Sequence, residues 1–122
     1  MKKRNRNIKK NLKHMKTTNE ELFRSITVEM DSLYKQKNAD YGNSYAELYA
    51  RYGSIYPLIR LEEKIARVER LITSEKDPEV KSESLRDTLI DLANYSVMWI
   101  AELDKDRLRE GVFGKQYTEE NE

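Results

Sequence analysis

The sequence contains no cysteine and a single histidine, His14. Without thiols it can form no disulfide and perform no thiolate chemistry. With one imidazole, lodged in a lysine-rich stretch, zinc centres and serine–histidine catalysis lack their ligands and their base. Any metal would have to be a hard cation held by oxygen, Mg²⁺ or Mn²⁺ first. Glycine and proline are scarce, at four and two residues, so breaks between elements are few and their positions informative. No apolar run is long enough to cross a bilayer, and the first residues lack the apolar stretch of a secretory signal. The expected location is therefore the cytoplasm, with no membrane partner.

What is present is charge and helical periodicity. Charged residues make up 37% of the 122 residues and hydrophobic ones 38%. That balance suits one helical domain with one apolar stripe per helix. Such a chain buries little surface alone, so a homo-oligomer sharing its core, a dimer or a tetramer, is expected. The near-neutral net charge hides a split. Residues 1–16 hold eight Lys/Arg and no acid, which leaves 15 basic against 22 acidic residues in the remainder. Residues 1–16 read as a flexible basic leader, 17–111 as a single helical domain, and 112–122 as a tail that could pack through Val112 and Phe113. The leader could also give weak, non-specific contact with nucleic acid, but it has no aromatic residue to stack on bases.

Four helices are predicted. The first starts at Thr18, where Thr18-Asn19-Glu20-Glu21 has capping-box spacing. Leu22, Ile26, Met30 and Leu33 recur from there at helical spacing to about Tyr34 or Gln36. Residues 37–43 are expected to break the chain at Gly42. A short second helix over about Ser44–Tyr52 is closed by Gly53. The third has Pro57 in its first turn and an apolar stripe of Leu58, Leu61, Ile65, Val68 and Ile72, ending near Ser74. Residues 76–79 read as a turn, and the fourth helix is expected from Ser82 or Ser84 to about Arg109, stopped by Gly111. Its apolar positions, Trp99 among them, cover about half the circumference. That is wider than one partner helix requires, so the fourth helix should be central or shared between subunits. The fold class is all-α, a bundle of about four helices with two long central ones.

Two polar strips stand out on these helices. On the third, Arg60, Lys64 and Arg67 fall within about 60° on one flank of the stripe, with Glu62 and Glu69 on the other. Three cations in a row suit the spread charge of an oligophosphate, although a solvated face with pairs such as Glu63 to Arg67 explains them too. On the fourth, Asp87, Asp91 and Asn94 share an arc of about 60° with Met98, bordered by Ile90 and Tyr95. Oxygen-bearing side chains on so apolar a helix are costly unless something satisfies them. Two carboxylates four apart can share one Mg²⁺. The alternative is that Asp87 serves the helix's first turn and Asp91 pairs with an arginine across the bundle. Tyr41, Tyr45, Tyr49, Tyr52 and Tyr56 crowd into 16 residues. They can stack on a base or simply rim the core.

Lys37-Asn38-Ala39-Asp40-Tyr41-Gly42, then Lys64-Ile65-Ala66-Arg67, then Asp87 with Asp91 and Asn94-Tyr95 together resemble the phage and prophage family called nucleotide modification associated domain 1. The resemblance runs over roughly residues 30–103. That family looks distantly similar to the all-α MazG-like nucleoside triphosphate pyrophosphatases and helical dUTPases, which hold Mg²⁺ on helical acidic pairs. The resemblance implies a nucleotide-handling protein, in the host cytoplasm if phage-encoded. Asp87 and Asp91 would be metal ligands, and Glu62 or Glu63 a further ligand or the base. Arg60, Lys64, Arg67 and Lys37 would bind phosphate, and Asp40, Tyr41, Asn94 and Tyr95 base or sugar. The Glu-x-x-Glu motif of the hydrolases is absent, and their Glu-x-x-Asp is replaced by Asp-x-x-x-Asp-x-x-Asn. Alternatives to hydrolysis are therefore a protein that binds or sequesters a nucleotide or cyclic nucleotide, or a subunit of a nucleotide-modifying complex.

Overall fold

A computed structural model of the chain describes residues 17–41, 43–75 and 77–111, with the side chains of Asp40 and Tyr41 also outside the description. The predicted leader and tail lie outside the described residues. Four helices follow one another: α1 (Asn19–Tyr41), α2 (Ser44–Tyr52), α3 (Ile55–Thr73) and α4 (Pro78–Arg109). Among the described residues there is no strand, and the chain is an all-α bundle. No described helix is long and apolar enough to cross a membrane.

Local chemistry sets the helix ends. The Thr18 hydroxyl accepts from the Glu21 amide at 3.1 Å, closing the first turn of α1 as the capping-box spacing predicts. Gly53, at φ +68°, ends α2 and donates its N–H to the Tyr49 carbonyl at 2.7 Å. Gly111, at φ +78°, follows α4.

Two boundaries differ from the sequence reading. α4 begins at Pro78 rather than Ser82 or Ser84, because Asp77 caps it: its carboxylate accepts from the Glu79 N–H at 2.9 Å, and Pro78 occupies the first helical position. The Asp-Pro pair that reads as a turn is a helix start, and α4 grows to 32 residues, about 48 Å. Asp87 consequently stands mid-helix, beyond reach of the N-terminal turn. At the other boundary, α1 continues to Tyr41 rather than stopping near Tyr34 or Gln36. Its last two turns have no apolar stripe, so periodicity does not report them; Lys37 is instead tied to Asp91 of α4.

α3 and α4 form an antiparallel hairpin that carries most of the packing, with α2 against α3 and α1 across α4. Asn94 donates from Nδ2 to the Met30 carbonyl at 3.3 Å, and Arg86 pairs with Glu29 at 2.8 Å, fixing α1 on α4. The core is thin. Tyr45, Pro57, Leu71 and Ile90 are buried, together with Thr88 and Glu102. The apolar stripes predicted for the core are only partly covered, since Leu58, Ile65 and Ile72 of α3 and Leu89, Ile100 and Leu103 of α4 remain exposed. Trp99, expected in the core, is half-buried, and its Nε1 is buried without an acceptor among the described residues.

Candidate functional site

On α4 a carboxylate is held by two lysines from two other helices. Asp91 Oδ1 accepts from Lys37 Nζ of α1 at 2.9 Å, and its Oδ2 accepts from Lys64 Nζ of α3 at 3.1 Å. The Asp91 side chain is a quarter exposed. Burial alone would push this carboxyl up, but the hydrogen bonds and charges of Lys37 and Lys64 outweigh it and hold it below the usual carboxylate range. The triad therefore carries two positive charges and one negative, a local excess of one cation.

Two members of the triad, Lys37 and Asp91, line a cleft of about 390 Å³. Tyr34, Lys37 and Asn38 line it from α1, Ser44 and Tyr45 from α2, Tyr56 and Arg60 from α3, and Asp91, Asn94, Tyr95 and Met98 from α4. The walls are aromatic. Tyr45 and Tyr95 stack at 6.2 Å between centroids, and Tyr45 meets Tyr56 edge-on at 5.2 Å. The Arg60 guanidinium lies over both Tyr56 and Tyr95, at 5.6 Å from each ring, and Lys64 Nζ stands 5.9 Å from Tyr95. Burial, reinforced by Tyr56 and the Glu102 carboxylate, pushes the Tyr45 phenol up to about 12. Tyr45 is thus a neutral hydroxyl at any ordinary pH and donates to the Tyr95 carbonyl at 3.5 Å.

The helix wheel groups these residues only in part. Of the basic row, Arg60 lines the cleft and Lys64 grips Asp91, but Arg67 turns onto α4 and donates from Nε to the buried Thr88 hydroxyl at 3.0 Å. Asp91 and Asn94 line the cleft, whereas Asp87 is exposed. The Asn94 amide is committed to Met30, which gives it a structural task besides lining the cleft. Glu62 is exposed, and Glu63 pairs with Arg60 at 3.3 Å. The arginine expected opposite Asp91 is a pair of lysines. Asp40 and Tyr41 belong to the end of α1, with side chains outside the described residues. Tyr34 and Ser44 enter the sequence reading only as helix ends and Asn38 only as a motif position, none with a role in a site. Tyr45 and Tyr56 were flagged only as members of the tyrosine cluster, two of whose other members lie elsewhere: Tyr49 bonds Asp106 and Tyr52 is exposed.

A second cleft, of about 370 Å³, lies between α2 and the end of α4. Its charges are already matched: Glu102 with Lys105 at 2.7 Å, and Asp106 with Tyr49 at 2.9 Å and Arg109 at 3.2 Å. It offers no surplus charge of either sign.

Residues 37–103 match the family described as nucleotide modification associated domain 1. The chain belongs to that family. The matched span of this nucleotide modification associated domain runs from the lysine of the Asp91 clamp to Leu103 and contains every cleft-lining side chain named above except Tyr34. Membership attaches the chain to a nucleotide-related role. No curated protein and no solved structure matches it.

Proposed function

We propose that the tyrosine-lined cleft binds a (deoxy)nucleotide, with the phosphates on Lys37 and Lys64 and the base against the tyrosines. The observation that carries this reading is the Asp91 clamp. Two ammonium groups from different helices are held around one carboxylate; that carboxylate and Lys37 line an aromatic cleft, and Lys64 stands 5.9 Å from the Tyr95 ring of its wall. A phosphate oxygen offers those lysines the same acceptor chemistry as Asp91 does, with more charge. Arg60, already over two tyrosine rings, supplies a planar fork for a second phosphate. Tyr95 and Tyr45 present faces and edges on which a base can stack. Asn94 and Ser44 offer polar groups for the base edge or sugar.

For Mg²⁺, the donor set suits an ion that arrives on the phosphates rather than one the protein holds alone. Among the described residues no group of three or more acidic, histidine or cysteine side chains gathers to hold a metal. Asp91 and Asp87, one turn apart on α4, are the pair that would take such an ion, and one or two carboxylates are what a phosphate-borne Mg²⁺ commonly needs. When bound, it would neutralise phosphate charge and polarise the phosphoryl group. Lys37 and Lys64 neutralise the phosphates in either case, and the tyrosine walls keep bulk water from the base. For the catalytic role expected of Glu62 and Glu63, their placement offers little support: one is exposed and the other tied to Arg60. We therefore favour binding without turnover.

Calorimetry with a panel of nucleoside mono-, di- and triphosphates, with and without Mg²⁺, tests the reading. Saturable binding by at least one member, weakened at least tenfold in Lys64→Ala, is expected. Phosphate or pyrophosphate release that is lost in Asp91→Ala would replace binding alone by hydrolysis. A folded chain that binds no member of the panel refutes the proposal.

A further inference from the structure

The side of the α3–α4 hairpin facing away from the cleft is apolar and, among the described residues, only partly covered. On α3, Leu58, Leu61, Ile65, Val68 and Ile72 recur at alternating spacings of three and four. On α4, Leu85, Leu89, Leu92, Trp99 and Leu103 keep the same rhythm, with Ser96 at the one polar position. This is the a/d pattern by which helices interlock side chains in a coiled-coil bundle. A seam of this kind has partners on both sides, yet here no described element packs on one of them. Leu58, Ile65, Ile72, Leu89 and Leu103, with Ile100 next to the register and within about 20° of Leu89 on the wheel, are 41% to 57% exposed.

We propose that a second copy of this chain covers the seam, so that two α3–α4 hairpins close into a four-helix bundle. Three observations select a second copy. The first is periodicity: both helices keep one register over at least two heptads, which suits a long straight partner of the same pitch better than a loop or a globular knob. The second is area. Each of the six side chains leaves on the order of 80 Å² of apolar surface to water. That is ~500 Å² per chain before the half-buried members of the seam are counted, close to the ~800 Å² per partner of a standard interface.

The third is charge. Lys64 sits against Asp91 and Arg67 against Thr88, which puts Glu69 level with Arg86. A twofold axis parallel to the helices lays α3 of one copy over α4 of the other. The exposed acidic edge of α3, Glu62 and Glu69, then meets the α4 edge carrying Arg86, which keeps part of its head in water beyond Glu29. The match occurs twice, as an isologous contact requires. Arg60, Lys64 and Asp91 lie on the other flank of the hairpin, so the second copy leaves the cleft open and the pairing does not depend on what the cleft binds.

Sedimentation equilibrium of the full chain tests the pairing, at roughly 100 µM, above the micromolar Kd of a weak standard-size interface. The expected mass is twice the 14.5 kDa of one chain. Leu89→Gln or Ile65→Gln returns it to a single chain mass, while Val28→Gln, on an exposed position away from the seam, leaves the dimer intact. If the central seam variants do not fold, Ile72→Lys at the exposed end of the stripe and the rise of the wild-type Tm with concentration decide instead. A wild-type chain of single mass with a concentration-independent Tm overturns the proposal. So does an assembly that survives both Leu89→Gln and Ile72→Lys.

Discussion

Replacing Asp91 by asparagine should make the protein less stable and, in the absence of metal, a better anion binder. The carboxylate lies 2.9 Å and 3.1 Å from two ammonium groups and is three-quarters covered. At an effective dielectric of ~20 a pair of unit charges 4 Å apart attracts by about 4 kcal/mol, most of which desolvation and side-chain ordering cancel. Lys37 is more than half exposed, so its share is further screened by water. The net value lies between the ~0–1 kcal/mol of an exposed pair and the ~3–5 kcal/mol lost on breaking a buried one. About 1–2 kcal/mol is the reasonable middle, and for a domain of this size each kcal/mol lowers Tm by roughly 4–8 °C. The same free energy is what a phosphate must overcome to take the lysines from Asp91. In Asp91→Asn the side-chain amide, neutral and a weaker acceptor, should let metal-free nucleotide bind about 5- to 30-fold more tightly, the factor corresponding to 1–2 kcal/mol. Any gain from Mg²⁺ should shrink, because one of the two carboxylates proposed to take it is gone. Differential scanning calorimetry and isothermal titration on the same samples measure both halves. An unchanged Tm, or metal-free binding that weakens, would show that Asp91 is not a stand-in for the ligand.

Further consequences follow from other contacts. Thr88→Val keeps the shape of a side chain that is 2% exposed but deletes the acceptor for Arg67 and the donor to the Ser84 carbonyl. It should cost about 0.5–1.5 kcal/mol by denaturant titration, the net worth of an ordinary hydrogen bond, since Arg67 is exposed and water can take the place of Thr88. Asp77→Ala removes the cap of α4 and should cost about 1 kcal/mol, with hydrogen exchange accelerated in the turn after Pro78 and not at the centre of the helix. The pH dependence has two edges. Asp91 is held below its ordinary value, so its contribution is full above about pH 4, the unfolded carboxylate value, and fades as acid protonates it; Asp91→Asn should flatten that acid limb. Tyr45 is pushed up to about 12, so its contribution is full below pH 10 and declines from there as the unfolded chain ionises first. Spectrophotometric titration should show a latest tyrosine step that is missing in Tyr45→Phe, while Tyr49, also pushed up by burial and its bond to Asp106, still titrates late.

Much of the scaffold was legible because helical periodicity reports burial wherever a helix has an apolar side. The Thr18 box, Pro57, Gly53 and Gly111 marked ends because each meets a specific backbone need. Periodicity is silent on the last turns of α1, which are polar and held by one lysine, and a local reading of Asp77-Pro78 weighs a turn above a cap. In the site, Asp91 was legible as a carboxylate too costly to stand alone on an apolar helix. Its partners were not. Lys37 reaches it across 54 residues of chain, and nothing in a wheel drawn for one helix says which cation a neighbouring helix delivers. For the same reason Arg67, third in a tidy basic row, could not be told apart from Arg60 and Lys64 until Thr88 took it out of the row.

Where a nucleotide's phosphates sit decides whether the Asp91 clamp is a binding site. NMR of the chain, with lysine side chains and tyrosine rings labelled, titrated with the tightest-binding nucleotide of the panel, reads that position directly. Phosphates seated on Lys37 and Lys64 should perturb both ammonium signals and the Tyr95 ring, give intermolecular contacts from base protons to Tyr45 or Tyr95, and leave Tyr49 in the second cleft quiet. Contacts to Tyr49, or perturbations that leave Lys37 and Lys64 untouched, would contradict it.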